Sequence, residues 1–274
     1  MTESVITRHS MPLRVEAVRQ RRRRRTTLAL GFLVLLPFIL VGAFALSSGS
    51  SNDTYVDLAK SGAVNFTMFT IYASTGFLLV VVVALFFGDT IAGEASWGSL
   101  RYLLAMPVPR ARLLRQKLIV AAGYSVAGLV ILPTVALLLG AAVYGWNPAR
   151  TPQGDTYSAW NGVQRLAIVD VYLAITLLLV AGAAFWLSTV TDAPLGAVGG
   201  AVAIVIVSNI LDSITALHGW RSLLPTHYQF SWIDALSVPA TYASMAKGAL
   251  ASMIYSAVFF AAAFRHFARK DILS

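Results

Sequence analysis

Six apolar stretches, most of them about 20 residues long and separated by polar segments, restrict this chain more than any other feature. They cover residues 26–46, about 66–88, 118–144, 166–187, 195–217 and 249–264. In a bilayer every backbone N–H and C=O must find its partner inside the protein, which leaves helices or a closed barrel. A barrel strand crosses in about 10 residues, so runs of this length imply helices. Composition agrees, because a chain with 57% hydrophobic and only 12% charged residues is too apolar to have water as its main solvent. The expected fold class is an all-α membrane protein with six transmembrane helices. Pro37 and Pro133 fall inside spans and should kink them, and Gly196 and Gly200 should allow close helix approach in the fifth.

The spans sit between two polar ends. Residues 1–25 form a basic leader in which Ser10 caps an interfacial helix starting at Pro12 and ending in the run Arg21 to Arg25. The triplet Ala43-Phe44-Ala45 imitates a signal-peptidase site, but the apolar run before it exceeds the about 7–15 residues of a signal peptide. The transmembrane domain then occupies 26–264, with a loop at 89–117 between the second and third spans and an outer segment at 218–247. Residues 265–274 form a tail.

Charge decides the expected orientation. With both termini inside, sixteen of the 21 Lys and Arg residues lie on the cytoplasmic side, and Lys60, Arg150, Arg165, Arg221 and Lys247 lie outside. This predicts a multi-pass protein of the bacterial plasma (inner) membrane with cytoplasmic termini. The net charge of +9 flanks apolar spans, so the expected partners are anionic membrane lipids and not nucleic acid. Cysteine is absent, which excludes thiol chemistry, and the scattered His9, His218, His227 and His266 give no basis for a metal site.

Asp170 and Asp212 are the acidic residues read inside apolar runs, where a charge at midplane costs about 2.5–3.5 kcal/mol on insertion scales. Pairing with Arg165 or Arg221, or snorkelling to the outer surface, explains both. Lining a translocation path together with Asn209, one turn before Asp212, is the functional alternative. That alternative admits a stand-alone ion-coupled secondary transporter or channel. The segment 218–247 carries Trp220, Tyr228, Phe230, Trp232 and Tyr242 with Pro225 and Pro239, and reads as two short re-entrant or interfacial helices. It is either an aromatic belt or an outer gate built around Pro225, His227, Tyr228 and Trp232.

The stretch from Glu94 to Met106 reads as an amphipathic helix that offers Trp97, Leu100, Tyr102, Leu103 and Leu104 for burial, stops at Pro107 and Pro109, and is followed by basic residues. Such an element either docks into a groove on a soluble partner or lies in the lipid interface. Gly93 and Gly98 have the glycine spacing of a phosphate loop, but Ser99 and Leu100 stand where its Lys and Ser/Thr belong, so no ATPase activity is expected of this chain.

In this loop the sequence resembles the ABC-2 type transporter permeases, through Glu94, Gly98, Arg101, Leu104, Pro107, Arg110 and Lys117 in order. The ending Phe267-Ala-Arg-Lys-Asp271-Ile, the six-span layout and the outer segment before the last span are also similar to the family. The resemblance implies a permease subunit of an ATP-driven ABC exporter, paired as a dimer with a second copy or a close relative. It also implies two separate ABC ATPase subunits, with ATP and magnesium bound there and no cofactor bound by this chain. The loop would be a cytoplasmic coupling helix, with Glu94, Trp97, Gly98, Arg101, Tyr102, Leu104, Pro107 and Arg110 as ATPase-coupling residues. The cargo implied is an amphipathic or hydrophobic compound, a drug, lipid or peptide, as in multidrug efflux.

Overall fold

The computed structural model describes residues 13–46, 54–96, 98 and 109–270. A short helix α1 (Leu13–Arg21) leads into α2 (Arg24–Leu46), and α3 (Thr54–Lys60) follows on the far side. Next come α4 (Ala63–Thr75), α5 (Leu78–Ser96) and the long α6 (Arg110–Tyr144). A two-stranded antiparallel hairpin, β1 (Ala149–Arg150) with β2 (Thr156–Tyr157), separates α6 from α7 (Ala159–Thr176) and α8 (Leu178–Val190). After α9 (Pro194–Ser213) the chain makes two 3₁₀ helices, Thr215–Leu223 and Ser231–Leu236, and ends in α10 (Ala243–Arg269).

Six helical stretches among these are long and apolar enough to cross a membrane, and the protein is an all-α membrane protein. They are α2, α5, α6, the α7–α8 pair, α9 and α10. The hairpin is an element that the sequence analysis did not anticipate; its turn contains Gly154 at φ +96°, a conformation that suits glycine. At 35 residues α6 is about 52 Å long, well beyond a hydrocarbon core of about 30 Å, so its first two turns carry Arg110 to Lys117 past the apolar layer. Both α2 and α6 continue as single helices through Pro37 and Pro133.

The centre of the bundle is α5, which packs on α6, α8 and α9, with α8 in turn against α9 and α10. The most apolar stretch of α5 is 78% buried, against 17% for α2 and 22% for α10. The central helix is therefore surrounded by protein while its neighbours present apolar side chains outward, as a membrane-embedded bundle requires. Close packing at the centre needs small residues. A Cβ on Gly88 of α5 would lie 2.8 Å from Val198 of α9, and one on Gly200 of α9 would lie 2.8 Å from Leu187 of α8. Gly196 has room for a side chain, so of the predicted pair only Gly200 makes a close helix contact.

Two spans are interrupted part-way along their length. The second breaks at Gly76 and Phe77, and the fourth at Leu177. Both Ser74 and Thr75 hydroxyls donate to the Ile71 carbonyl, at 2.9 and 2.7 Å, and Thr176 donates to Leu173 at 3.2 Å. Hydroxyls that bond back to the preceding turn compete slightly with the helical ladder, although Thr67 and Thr70 make the same bonds in the unbroken part of α4.

Candidate functional site

The first candidate site lies at the end of the bundle that carries the loop between α5 and α6. Helix α5 extends beyond the expected end of the second span at Gly88 and takes in Asp89 and Glu94. Glu94 therefore lies in the last turns of a spanning helix and does not begin a new one. It is 3% exposed, Asp89 is 5% and Lys117 of α6 is 3%. Burying charges at this depth is costly unless each is paired, and here each is.

Lys117 Nζ reaches Glu94 Oε1 at 3.2 Å and Glu16 Oε1 of α1 at 3.0 Å. Arg23, at the foot of α2, donates to Glu94 at 3.0 Å and pairs with Asp89, which also accepts from Arg25 at 3.0 Å. Arg19 of α1 bridges Glu94 and Glu16. Three carboxylates and four cations thus tie together α1, α2, α5 and α6. Burial pushes the Glu16 carboxyl up, but the Lys117 ammonium and Arg19 guanidinium outweigh it and hold it below the usual carboxylate range.

A second group of contacts fixes the other side of the same end. Arg110 Nη1 donates to the carbonyls of Lys270 at 2.8 Å and Ala268 at 3.2 Å, which caps the end of α10 where carbonyls lack helical partners. Lys270 Nζ bonds Asp192 Oδ1 at 2.8 Å and the Thr189 carbonyl at 3.2 Å, between α8 and α9. Of the residues expected to couple to an ATPase, the structure thus places Glu94 in the buried ionic cluster and Arg110 on the end of α10. Gly98 is exposed at φ +67°, just beyond α5. Trp97, Arg101, Tyr102, Leu104 and Pro107 lie outside the described residues, as do Ser10, Pro12 and Asp271.

The second candidate site is at the opposite end, where residues 223–230, from the last residue of the first 3₁₀ helix to the start of the second, dip between the spans. Four helices hold this plug. Thr226 Oγ1 bonds Ser208 Oγ of α9 at 2.8 Å, and Gln229 Nε2 donates to the Thr75 carbonyl at the break after α4 at 2.8 Å. The Tyr172 hydroxyl of α7 donates to the Tyr228 carbonyl at 2.6 Å, and Tyr255 of α10 to that of Leu223 at 2.5 Å. The bond to Thr75 supplies a partner to a carbonyl beside an interrupted helix, which is how irregular backbone is tolerated at membrane depth. Beneath the plug lies a cavity of about 20 Å³, lined by Thr75, Thr176, Leu177, Pro225, Tyr228 and Gln229 among others. It has room for roughly one water molecule and not for an organic solute.

The predicted outer residues come together only in part. Pro225 and Tyr228 line the cavity, while Trp232, 1% exposed, packs into the core from the second 3₁₀ helix. His227 Nδ1 lies 2.5 Å from Asp212 Oδ1, with Arg221 Nε at 3.5 Å from the same oxygen. The Asp212–Arg221 pairing considered from sequence is present, with His227 added. The Asp170–Arg165 pairing is not. Arg165 instead donates to the carbonyls of Ser237 at 2.7 Å and Ala235 at 3.2 Å, and stacks over the Tyr157 ring. Asp170 is half-buried on α7, which packs on α4, α6 and α10. Asn209 and Asp212 are on α9, which packs on α5 and α8, and α8 is the helix that both α7 and α9 touch.

Sequence reasoning missed the ionic cluster. The legible signal was a pair of carboxylates, Asp89 and Glu94, ending an apolar run, with the basic series Arg19 to Arg25 at the start of another. Nothing local says that residues 64–75 positions apart meet.

A bundle of six spanning helices, with no phosphate-loop motif in its sequence, defines the class: a multi-pass membrane component. The family described as ABC-2 family transporter protein matches residues 16–272, and the chain belongs to it. Members of that family are, in general, membrane subunits of ABC transporters that lack an ATPase motif of their own and pair with an ABC ATPase. No curated protein matches the chain significantly.

Proposed function

We propose that this chain is the permease subunit of an ATP-driven exporter of the bacterial plasma membrane, with the loop end facing the cytoplasm. Two copies of a separate ATPase act on the loop 97–108, and a second permease, identical or closely related, completes the pathway. The observation that carries the proposal is the ionic cluster. Glu94 lies just before the loop and bonds Arg19 of α1 and Arg23 at the foot of α2, while Lys117 follows the loop and bonds Glu94 and Glu16 of α1. A push on the loop is therefore delivered to four helices at once. Arg110, at the loop's end, extends the same linkage to α10.

At the opposite end the plug over the interrupted spans serves as the outer gate. Binding energy from nucleotide-driven closure of the ATPases would favour the state in which this plug is released, a population shift between two conformations. The cargo is an amphipathic or hydrophobic compound, such as a drug, lipid or peptide. A stand-alone ion-coupled transporter is less well supported, since Asp212 is engaged by His227 and Arg221.

The test is co-purification. The tagged wild-type chain, expressed with its candidate ABC ATPase, is expected to retain that ATPase through purification. Replacing Trp97 and Arg101 by Ala together is expected to lose it while the permease still elutes as a folded species. Undiminished retention by the double variant would overturn the assignment of the loop.

A further inference from the structure

An open groove of about 400 Å³ runs between α1 and the first half of α6. Its size falls within the about 300–1,000 Å³ of small-molecule clefts. Ile119, Gly123 and Ala127, spaced four residues apart, form the α6 wall, and Leu13, Arg14 and Ala17 form the α1 wall. The Tyr124 hydroxyl donates to the Ala17 carbonyl at 2.8 Å and holds the two walls together.

Depth, apolarity and charge together say what occupies it. From Ile119 to Ala127 the groove follows α6 for about 12 Å, close to the about 15 Å of one leaflet's hydrocarbon. It begins just inside Lys117, where the helix leaves the ionic cluster. The surrounding surface of α6 is apolar and exposed, with Ile119 at 48%, Val126 at 54% and Val130 at 51%, so the groove opens toward acyl chains. Its rim is basic. Arg14 lines it, Arg115 lies one turn before Ile119 on the same helical face, and Arg112 is also on that side; all three are exposed. Arg21 is within electrostatic reach of the Tyr124 hydroxyl. The carboxylate nearest in sequence, Glu16, is already held by Lys117 and Arg19 and does not cancel this field.

We infer that the groove binds an anionic phospholipid of the inner leaflet, with one acyl chain along Ile119, Gly123 and Ala127 and the phosphate at Arg14 and Arg115. Long basic side chains beside apolar surface suit this arrangement, as their stems cover the chain and their heads meet the headgroup. The inference rests on the orientation proposed above and is independent of any ATPase. A lipid here would fasten α1, one arm of the ionic cluster, to the face of α6, so lipid composition would bear on the loop's mechanical connection.

Native mass spectrometry of the purified full-length chain, mixed with phosphatidylglycerol or phosphatidylcholine, tests this. Wild type is expected to retain phosphatidylglycerol in preference. Gly123→Leu fills the groove; a Cβ there meets no atom within 4 Å, and leucine favours helix over glycine, so the fold is kept. It is expected to cut phosphatidylglycerol retention at least about fivefold, and Arg14→Gln by about fivefold, the usual effect of one juxtamembrane cation. Val126→Leu, exposed but outside the groove, is expected to change nothing. Equal retention of the two lipids, or no effect of Gly123→Leu and Arg14→Gln, overturns the inference. So does a Gly123→Leu variant that breaks up a dimer while lipid retention is unchanged, which would assign the groove to a second copy of the chain.

Discussion

Glu16 shows how a residue on a peripheral helix becomes part of the bundle. It is 8% exposed, and its carboxylate bridges Lys117 and Arg19. Because its folded-state pKa lies below the ordinary value, the stabilisation it supplies is complete above the usual carboxylate range. It is lost as pH falls through the lowered value. Glu16→Gln is expected to lower stability at neutral pH by about 1.5–3 kcal/mol, the range for hydrogen bonds to charged groups. The gap from wild type should close as pH falls below the usual carboxylate range. Thermal unfolding in detergent across pH reads both; a pH-independent gap would mean that Glu16 acts through packing alone. At this scale the sequence was a partial guide. The Asp212–Arg221 pair joins residues nine apart and could be considered in advance, whereas the Glu94 partners on α1 and α2 are brought together only by the packing of spans.

Helical elements were more legible than their ends. All six apolar runs become spans because runs of this length in lipid have no other way to pair their backbone groups. Their boundaries shifted because hydropathy falls at charged residues that are in fact buried: Asp89 and Glu94 look like loop and are helix. The interruptions at Gly76 and Leu177 were not read either, since no proline marks them and the backward-bonding hydroxyls beside them also occur in unbroken helix, as at Thr67 and Thr70. The plug depends on those interruptions, as Gln229 bonds the Thr75 carbonyl. Removing two of its ties with Gln229→Ala and Tyr172→Phe is expected to loosen it by about 1–3 kcal/mol in total, at about 0.5–1.5 kcal/mol for each hydrogen bond. Amide hydrogen exchange over residues 224–230 should then quicken while the buried α8 stays as slow as in wild type. Unaltered exchange in the plug would show that these bonds do not hold it shut.

Over the whole molecule, the buried centre of α5 and α8 separates two specialised ends. One end concentrates interlocked charges around the loop between α5 and α6; the other carries a plug fastened by hydrogen bonds to four helices. Helix α5 is continuous from the plug's neighbourhood at Leu79 to Glu94 in the cluster, so one rigid element joins the two ends. This arrangement is suited to transmitting displacement, and the source of displacement proposed here is a separate ATPase bound at the loop.

The most direct measurement uses the absence of cysteine from the chain. A single cysteine introduced by Trp97→Cys can be probed with a membrane-impermeant maleimide in intact cells and in inside-out vesicles, with and without the ATPase. The expected result is labelling from the cytoplasmic side only, with strong protection when the ATPase is bound. Labelling from outside intact cells, or cytoplasmic labelling that the ATPase does not slow, would contradict the proposed coupling.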